Sequence, residues 1–419
     1  MKRRSTGWLV LGVVLCLPGA GRAQASKADE ELLKAAKKGE VPKIEALLGA
    51  GANVNARNKD GRTPLIEATR EGKLPAVKAL LAAGASPDVA DKDARTALVE
   101  ACKRGKGDVA RALIEAKADV NVADKEGNTA LMEASKKDDA PLVALILKNG
   151  ADVDAADDDG WTALLEAAQK GRTSIALELL GAGAQLESRI ERGATPLLLA
   201  AGNGHSRLAL ALIDAGADLR ARDGAGNTPL VLAAGSGATE LLQRLIKSGV
   251  DVEETGSSGK SALAVAAESG KEDAVDVLLD ARADPNREFG YERLTPLMLA
   301  AKGCKSGAVS KLRSAGARVD ARANDGRTAL IFAAECSDNG VVTDLLMHGN
   351  ARADIQDDQG QTALMRAAAR GHQSTVDAIL FWGKPKLDLR DHGGRTALQL
   401  ARDAKHEDVA KKLESAGAR

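Results

Sequence analysis

The sequence predicts an all-α solenoid of about twelve helix-turn-helix units with turn or hairpin fingers, and three observations lead to this prediction. One tripeptide, Thr or Ser followed by Pro or Ala and then Leu, recurs eleven times at spacings of 33 or 34 residues. A glycine stands two residues before nine of the eleven tripeptides. Aromatic residues make up only 2% of the chain although apolar residues make up 44%, so small aliphatic side chains must fill the interior. A fixed period of this length is typical of stacked repeats.

The first residue of each tripeptide, which we call the anchor, predicts where the first helix of a unit begins. Its hydroxyl is placed to accept backbone N–H groups at a helix N-terminus, and Pro or Ala suits the first helical position. The glycine before it predicts a tight turn with positive φ. A second apolar segment, such as residues 77–85, predicts a second helix that ends at a glycine, here Gly84. The anchors are Thr63, Thr96, Thr129, Thr162, Thr195, Thr228, Ser261, Thr295, Thr328, Thr362 and Thr396.

These units resemble the ankyrin repeat, whose period and T-P-L-H-x-A signature they match over about 390 residues. The resemblance implies one solenoid over residues 26–419, with a first unit at 28–60, anchored repeats from Thr63 and a C-terminal cap at 394–419. The signature His is replaced throughout, for example by Ile66, Met132 and Gln399. We therefore expect the hydrogen bonds usually made by that His to be missing, and apolar packing to replace them.

The first 25 residues predict a secretory signal peptide. A basic start precedes an apolar run from Trp8 to Leu17, and Ala23-Gln24-Ala25 is a small-residue pattern typical of cleavage. The apolar run is too short to favour a membrane span, and no later stretch is long enough. We expect an exported protein, periplasmic or secreted, whose mature chain begins at Ser26. It would keep 55 basic and 59 acidic residues, a formal charge of −4 that does not favour nucleic acid.

Three cysteines would remain after export, an odd number that cannot form a complete disulfide framework. Cys304 and Cys336 occupy nearly matching places in adjoining repeats, so they form either a disulfide or two buried thiols. Cys102 is the third.

No motif for catalysis or for a cofactor stands out. GSSGKS ends like a phosphate-binding loop, but the first glycine of that pattern is replaced by Glu254, and the stretch is the anchor region of Ser261. Residues 154–166 partly match a calcium-binding loop, yet Ala155 stands where its first ligand belongs. We expect a protein that is not an enzyme and holds no cofactor or metal.

The resemblance implies that turn tips and first helices line a concave groove, where such proteins usually bind partners. Four residues after the first four anchors stands a glutamate, Glu67, Glu100, Glu133 or Glu166. Basic residues share the same helix face, since residues three and four apart are neighbours. Two interpretations stay open: mutual neutralisation, or recognition of an anionic polymer or envelope surface. The candidate charged face comprises Lys103, Arg104, Lys136, Lys137 and Lys170.

From the fifth anchor the same column becomes apolar, with small or polar residues beside it. A contiguous apolar strip on a groove predicts an interaction site, although packing between neighbouring repeats would explain it equally. Aromatic residues at turn tips strengthen the first interpretation, because aromatics are frequent binding hot spots. We expect a monomeric scaffold or inhibitor that binds a protein partner. The candidate contact residues are Leu199, Leu232, Val265, Leu299, Phe332, Trp161 and Tyr291.

Overall fold

The computed structural model describes residues 26–256 and 258–419, so the predicted signal peptide lies outside the described residues. These residues form two compact units, one ending at Asp119 and the other running from Val120 to Arg419. Each unit consists of antiparallel helix pairs, and the described residues contain isolated β-bridges but no extended strand. The predicted all-α architecture of helix-turn-helix units is confirmed.

Unit 1 contains three helix pairs. Its first helices pack side by side in chain order, and its second helices do the same behind them. The six helices are α1 (Lys27–Lys38), α2 (Val41–Gly49), α3 (Pro64–Arg70), α4 (Leu74–Ala82), α5 (Ala97–Lys103) and α6 (Gly107–Glu115).

Unit 2 repeats the same arrangement, with first helices packing on first helices and second on second. Its helices are α7 (Ala130–Ser135), α8 (Ala140–Lys148), α9 (Ala163–Lys170), α10 (Thr173–Gly181), α11 (Pro196–Gly202), α12 (Ser206–Asp214), α13 (Pro229–Ser236), α14 (Thr239–Lys247), α15 (Ala262–Ser269), α16 (Glu272–Asp280), α17 (Pro296–Lys302), α18 (Ser306–Ser314), α19 (Ala329–Ala333), α20 (Gly340–Met347), α21 (Ala363–Arg370), α22 (Gln373–Ala378), α23 (Ala397–Asp403) and α24 (Glu407–Ser415). A π-helical turn, Ile379–Gly383, continues α22. No helix in these two described stretches is both long and apolar enough to cross a membrane.

The anchor hydroxyl begins each first helix, as predicted. Thr63 Oγ1 accepts the backbone N–H of Ile66 at 3.2 Å, and the other anchors make the same bond to the residue three positions on. The anchors are themselves buried, so an unsatisfied hydroxyl or amide there would be costly. The glycine two residues earlier adopts the left-handed conformation, with φ 80° at Gly61.

Some of the residues that replace the signature His contact the backbone nitrogen of their own anchor in addition to packing in the interior. Met132 Sδ lies 3.5 Å from the backbone nitrogen of Thr129, and Met298 and Met365 contact their own anchors in the same way. Gln399 Oε1 accepts the N–H of Thr396 at 2.9 Å. In these repeats the side chain returns to the anchor amide, so the expectation that apolar packing alone replaces the His is wrong there.

A disulfide joins Cys304, just after α17, to Cys336, just after α19. Their Cα atoms are 5.9 Å apart, and Cys336 is buried. Of the two alternatives left open by the sequence, the structure therefore has the disulfide. Cys102, on α5, is buried in unit 1.

Candidate functional site

An apolar surface patch lies where α11 and α13 meet the turn that precedes α11. Leu199 and Leu232 are half-buried and pack, together with Ile190, against a shared buried cluster of Ala194, Leu198 and Ala221. The patch is thus a partly exposed apolar surface with a fully buried base. Because the fold holds its base in place, the shape of this surface is defined before any partner binds.

Glycines on the preceding helices keep this surface open. A Cβ atom added to Gly202 would lie 3.7 Å from Cδ2 of Leu232, and one added to Gly235 would lie 3.1 Å from Cγ1 of Val265. Each apolar side chain therefore lies directly against the bare backbone of the helix before it. Val265 is half-buried like the two leucines. We call Ile190, Leu199, Leu232 and Val265 the apolar patch.

Ile190 was missed by the sequence reasoning, although the sequence holds a signal for it. Five residues before most anchors stands an acidic residue that closes the turn; Asp91 Oδ1, for example, accepts the N–H groups of Asp93 and Arg95 at 2.9 and 3.0 Å. Ile190 occupies this place before Thr195 and cannot accept a hydrogen bond through its side chain. Its turn is closed by backbone bonds and by the Arg189 guanidinium, which donates to the carbonyl of Gly193 at 2.9 Å. The Ile190 side chain packs on the buried cluster. Gly256, Gly290 and Ala323 also lack a carboxylate at this place, but only Ile190 puts a large apolar side chain there.

Leu299 and Phe332 are not accessible, so their predicted contribution to an exposed strip needs correction. Each is only 2% exposed. The Arg327 guanidinium lies 4.2 Å from the centre of the Phe332 ring and covers it. Leu299 lies on α17, which packs between α15 and α19. The partly exposed part of the predicted strip therefore ends at Val265.

The residue before each anchor explains this difference. Before Thr328 it is Arg327, long enough to cover the residue four places after the anchor, and Arg62 lies beside Glu67 in the same way, 3.9 Å away. Before Thr195 it is Ala194, whose methyl group cannot cover Leu199. Leu199 is partly exposed because no long side chain precedes its anchor.

The two predicted aromatic residues lie outside this cluster, at the tips of other turns. Trp161 is half-buried, and its backbone N–H donates to Asp157 at 2.8 Å, which helps to close the turn before α9. Tyr291 is 91% exposed, at the tip of the enlarged turn that the Phe289–Leu294 bridge closes. Tyr291 is available to a partner, but the structure does not join it to the patch.

In unit 1 the glutamates of the charged column are buried in ion pairs. Glu100 accepts from Arg70 at 2.6 Å and from Arg104, one turn further along its own helix, at 2.5 Å. Glu67 accepts from the Asn58 amide at 2.9 Å. Arg104, one of the residues proposed to meet an anionic polymer, is therefore engaged within the protein. Lys103, another of them, ends α5.

In unit 2 one lysine forms ion pairs with two buried glutamates. Lys136 Nζ lies 3.1 Å from Glu133 and 3.2 Å from Glu166. Burial acts to lower the pKa of Lys136, but the attraction of Glu166 and Glu133 outweighs it, so that this pKa is raised. Burial raises the pKa of Glu166, and Lys136 offsets this only in part. Lys137 and Lys170 are exposed. These contacts favour mutual neutralisation over an open basic surface.

Replacing Lys136 with Met should lower the free energy of unfolding by about 1 to 2 kcal/mol at neutral pH. This value lies between those for exposed and buried ion pairs, because Lys136 is partly exposed. Adding Glu166→Gln should restore much of the loss. Urea titration of the three proteins measures the effect.

The same variant should show a pH dependence of definite sign. The raised pKa of folded Glu166 means that this group favours folding below its ordinary value of 4.5 and loses that contribution as the pH rises through its folded pKa. The deficit of the Lys136→Met protein should therefore shrink as the pH falls towards 4.5. An equal deficit at neutral and acidic pH would refute the assignment of a shared lysine.

A family model for ankyrin repeats in three copies matches residues 32–124, 116–190, 197–289 and 335–419. The match covers most of the chain, and the chain belongs to the ankyrin repeat family. It passes over residues 290–334, where the structure nevertheless continues the repeats with α17 and α18. No curated protein matches the sequence significantly. Ankyrin repeats are protein-interaction scaffolds and typically act without catalysis.

Proposed function

We propose that this ankyrin repeat protein binds a protein partner in the cell envelope through the apolar patch, as a scaffold or as an inhibitor, without catalysis or cofactor. The observation that carries the proposal is the packing of Ile190, Leu199 and Leu232 on one buried cluster. Contiguous, partly exposed apolar side chains supported by a rigid base are what a protein partner recognises. Tyr291 is available as a separate contact.

The alternative, binding of an anionic polymer through the early repeats, has less support. Arg104 and Lys136 are held by buried glutamates, and using them for a polymer would leave those carboxylates without their partners. Lys137 and Lys170 remain available, so a weaker charge-driven contact serves as the competing hypothesis. High salt would weaken it steeply, whereas apolar binding would persist.

The partner can be found by capture from an envelope fraction, followed by mass spectrometry. The wild-type chain and a Leu232→Asp chain would be used as bait in parallel. A protein retained by the first and lost by the second, at both low and high salt, is the expected partner. Equal retention by both baits would contradict the assignment of the patch.

Export to the periplasm is part of the proposal, and two features support it. Cleavage after Ala25 would leave Ser26, whose hydroxyl accepts the N–H of Asp29 at 3.1 Å and caps α1. The cut would thus leave the first helix intact together with its cap. The Cys304–Cys336 disulfide fits an oxidising compartment, since cytosolic thiols are kept reduced.

We expect the chain isolated from the cell envelope to begin at Ser26. N-terminal sequencing of material from fractionated cells measures this directly. An intact Met1 in a cytoplasmic fraction would contradict export. A chain with Ala23 and Ala25 replaced by bulky residues should remain uncleaved and serves as the control.

A further inference from the structure

Three large apolar side chains are exposed at one edge of unit 2, formed by the ends of α20 and of the π turn after α22. Phe381 is 70% exposed, Met347 47% and Trp382 41%. The rings of Phe381 and Trp382 meet edge to face, with centroids 4.7 Å apart. We call these three residues the aromatic edge.

The repeat itself does not require large side chains at this place. In the repeats from α2 to α18, the two residues at the end of the second helix, just before the left-handed residue that closes it, are small or polar. At the same distance from the anchor stand Met347-His348 in the repeat of α20 and Phe381-Trp382 in the repeat of α22. The preceding pairs are Gly49-Ala50, Ala82-Ala83, Glu115-Ala116, Lys148-Asn149, Gly181-Ala182, Asp214-Ala215, Lys247-Ser248, Asp280-Ala281 and Ser314-Ala315. Solvent exposure explains this preference, since a large apolar group there would gain nothing from packing. The edge therefore departs from the pattern of its own chain.

The backbone also departs from the pattern in these two repeats. Each carries one extra residue, Asn350 or Lys384, in the left-handed conformation with φ of 50° and 42°. The Gly349 N–H reaches the carbonyl of Asp344, five residues earlier, at 3.1 Å. A π-helical turn, Ile379–Gly383, widens the next repeat at the same place. Such wide turns are often found at functional sites.

Close packing brings the two widened helix ends together. The π turn packs on α20, and a Cβ added to Gly383 would lie 3.3 Å from Leu346 and 3.0 Å from Ala353. Met347 directly follows Leu346, so it lies at the end of the helix against which the aromatic pair is held. The three exposed side chains thus share one edge.

Charges around the edge are predominantly positive. Lys384 and Lys386 are exposed and make no ion pair within the described stretches, and no acidic residue stands between Asp377 and Asp388. Asp377 is paired with Lys412 on α24, and Asp344 with Arg313 at 3.1 Å. The exposed Asp388 is followed closely by Arg390, whose charge offsets it. Asp354 accepts the backbone N–H of Lys386 at 2.8 Å and offsets part of the charge of the two lysines. An excess of positive charge therefore flanks the exposed rings.

We propose that the aromatic edge docks this protein on the surface of an anionic phospholipid bilayer. Trp and Phe rings favour the boundary between headgroups and acyl chains, and flanking lysines are attracted to anionic headgroups. A second copy of the chain fits less well. The edge exposes on the order of 300 Å² of apolar surface, whereas a stable dimer needs about 800 Å² from each partner. The proposal is independent of the apolar patch, which lies on other repeats.

Tryptophan fluorescence tests the contact at the residue itself. The full-length Trp8→Phe, Trp161→Phe chain keeps Trp382 as its sole tryptophan. With vesicles of equal parts phosphatidylglycerol and phosphatidylcholine, Trp382 emission should shift to the blue and be quenched by brominated acyl chains. Vesicles of phosphatidylcholine alone should give little change. Residues 1–25 are the same in every arm, so a difference between a variant and its parent chain comes from the substitution.

Two sets of variants separate the rings from the charges. Phe381→Ser with Trp382→Ala installs the pair that another repeat carries, Ser314-Ala315, so the fold should be kept. Vesicle sedimentation should show a loss of partition of about tenfold or more, because the rings supply most of the apolar area of the edge. Lys384→Glu with Lys386→Glu should abolish the preference for anionic vesicles. Leu177→Ser removes a leucine that is 51% exposed on α10 and should change nothing.

Trp382 emission that is unchanged by anionic vesicles would overturn the proposal. So would equal responses to neutral and anionic vesicles, since the lysines would then have no role. A blue shift that appears without lipid and grows with protein concentration would assign the edge to a second copy. If the aromatic variant fails to show a normal thermal melt, the lysine variant alone decides between these outcomes.

Discussion

Loss of the Cys304–Cys336 disulfide is expected to lower the free energy of unfolding by about 3 to 4 kcal/mol. The bond closes a loop between cysteines 32 residues apart, and a loop of this length restricts the unfolded chain considerably. It also links the ends of two consecutive first helices, α17 and α19. Of these, α19 is short, Ala329–Ala333, so its repeat has less helix of its own to stabilise it.

The effect of the disulfide on stability can be measured separately from the effect of the backbone conformation at Cys304. Cys304 has φ 57°, at a place where Gly204, Gly237 and Gly270 stand in the three preceding repeats. A side chain in this conformation costs about 1 to 2 kcal/mol. A Cys304→Gly, Cys336→Ala chain should therefore be more stable than a Cys304→Ser, Cys336→Ser chain by roughly that amount, although both lack the bond.

Urea unfolding with and without a reductant measures the main effect, and a thiol assay on the oxidised, denatured full-length chain checks the bond. Only Cys16 and Cys102 should react. Reduction should leave the stability of the double-serine chain unchanged, which serves as the control. Three reactive thiols in the mature protein isolated from the envelope, which would lack Cys16, would contradict the disulfide.

Leu232→Asp is expected to weaken partner binding by about 2 kcal/mol or more, which is roughly a thirtyfold loss of affinity. The carboxylate would be buried against the partner without a counter-charge, in contact with the surface that Leu199 and Ile190 complete. Because Leu232 is only half-buried in the isolated protein, the fold should tolerate the change. Phe332→Asp, by contrast, should unfold its repeat, since that ring is buried.

Leu177→Asp is the matched control for this prediction. It introduces the same charge at a leucine that is 51% exposed on a second helix of the same unit, away from the patch. Its affinity for the partner should equal that of the wild type. Thermal melts of both variants separate lost binding from lost folding.

The sequence predicts the repeats because their period, their anchors and their turn glycines are local features, each repeated many times. It also predicts the helix column in which Leu199, Leu232 and Val265 are partly exposed. It does not predict exposure within that column, because covering groups such as Arg327 come from the turn before and their reach is not periodic. Phe332 is covered in this way, whereas Leu299 is buried by the packing of α17 between α15 and α19.

Two further features depart from the repeat pattern outside this column. Ile190 stands out only when the turn-closing acidic column is read repeat by repeat, and Phe381 with Trp382 only when the ends of the second helices are compared. For Glu100 and Glu166 the sequence leaves mutual neutralisation open as one of two alternatives. Each of these glutamates pairs with a basic residue of the preceding repeat, Arg70 or Lys136, and this pairing is visible only in the structure.

The central claim is that the apolar patch, rather than the basic residues, carries recognition. The affinity of the captured partner for three folded proteins tests this claim most directly: the wild type, Leu232→Asp, and Lys137→Glu with Lys170→Glu, the two exposed lysines of the charged face. We predict a loss of about thirtyfold for the first variant and near wild-type affinity at high salt for the second. Unchanged affinity of a folded Leu232→Asp protein, together with lost affinity of the lysine variant, would contradict the claim and assign binding to the charged face.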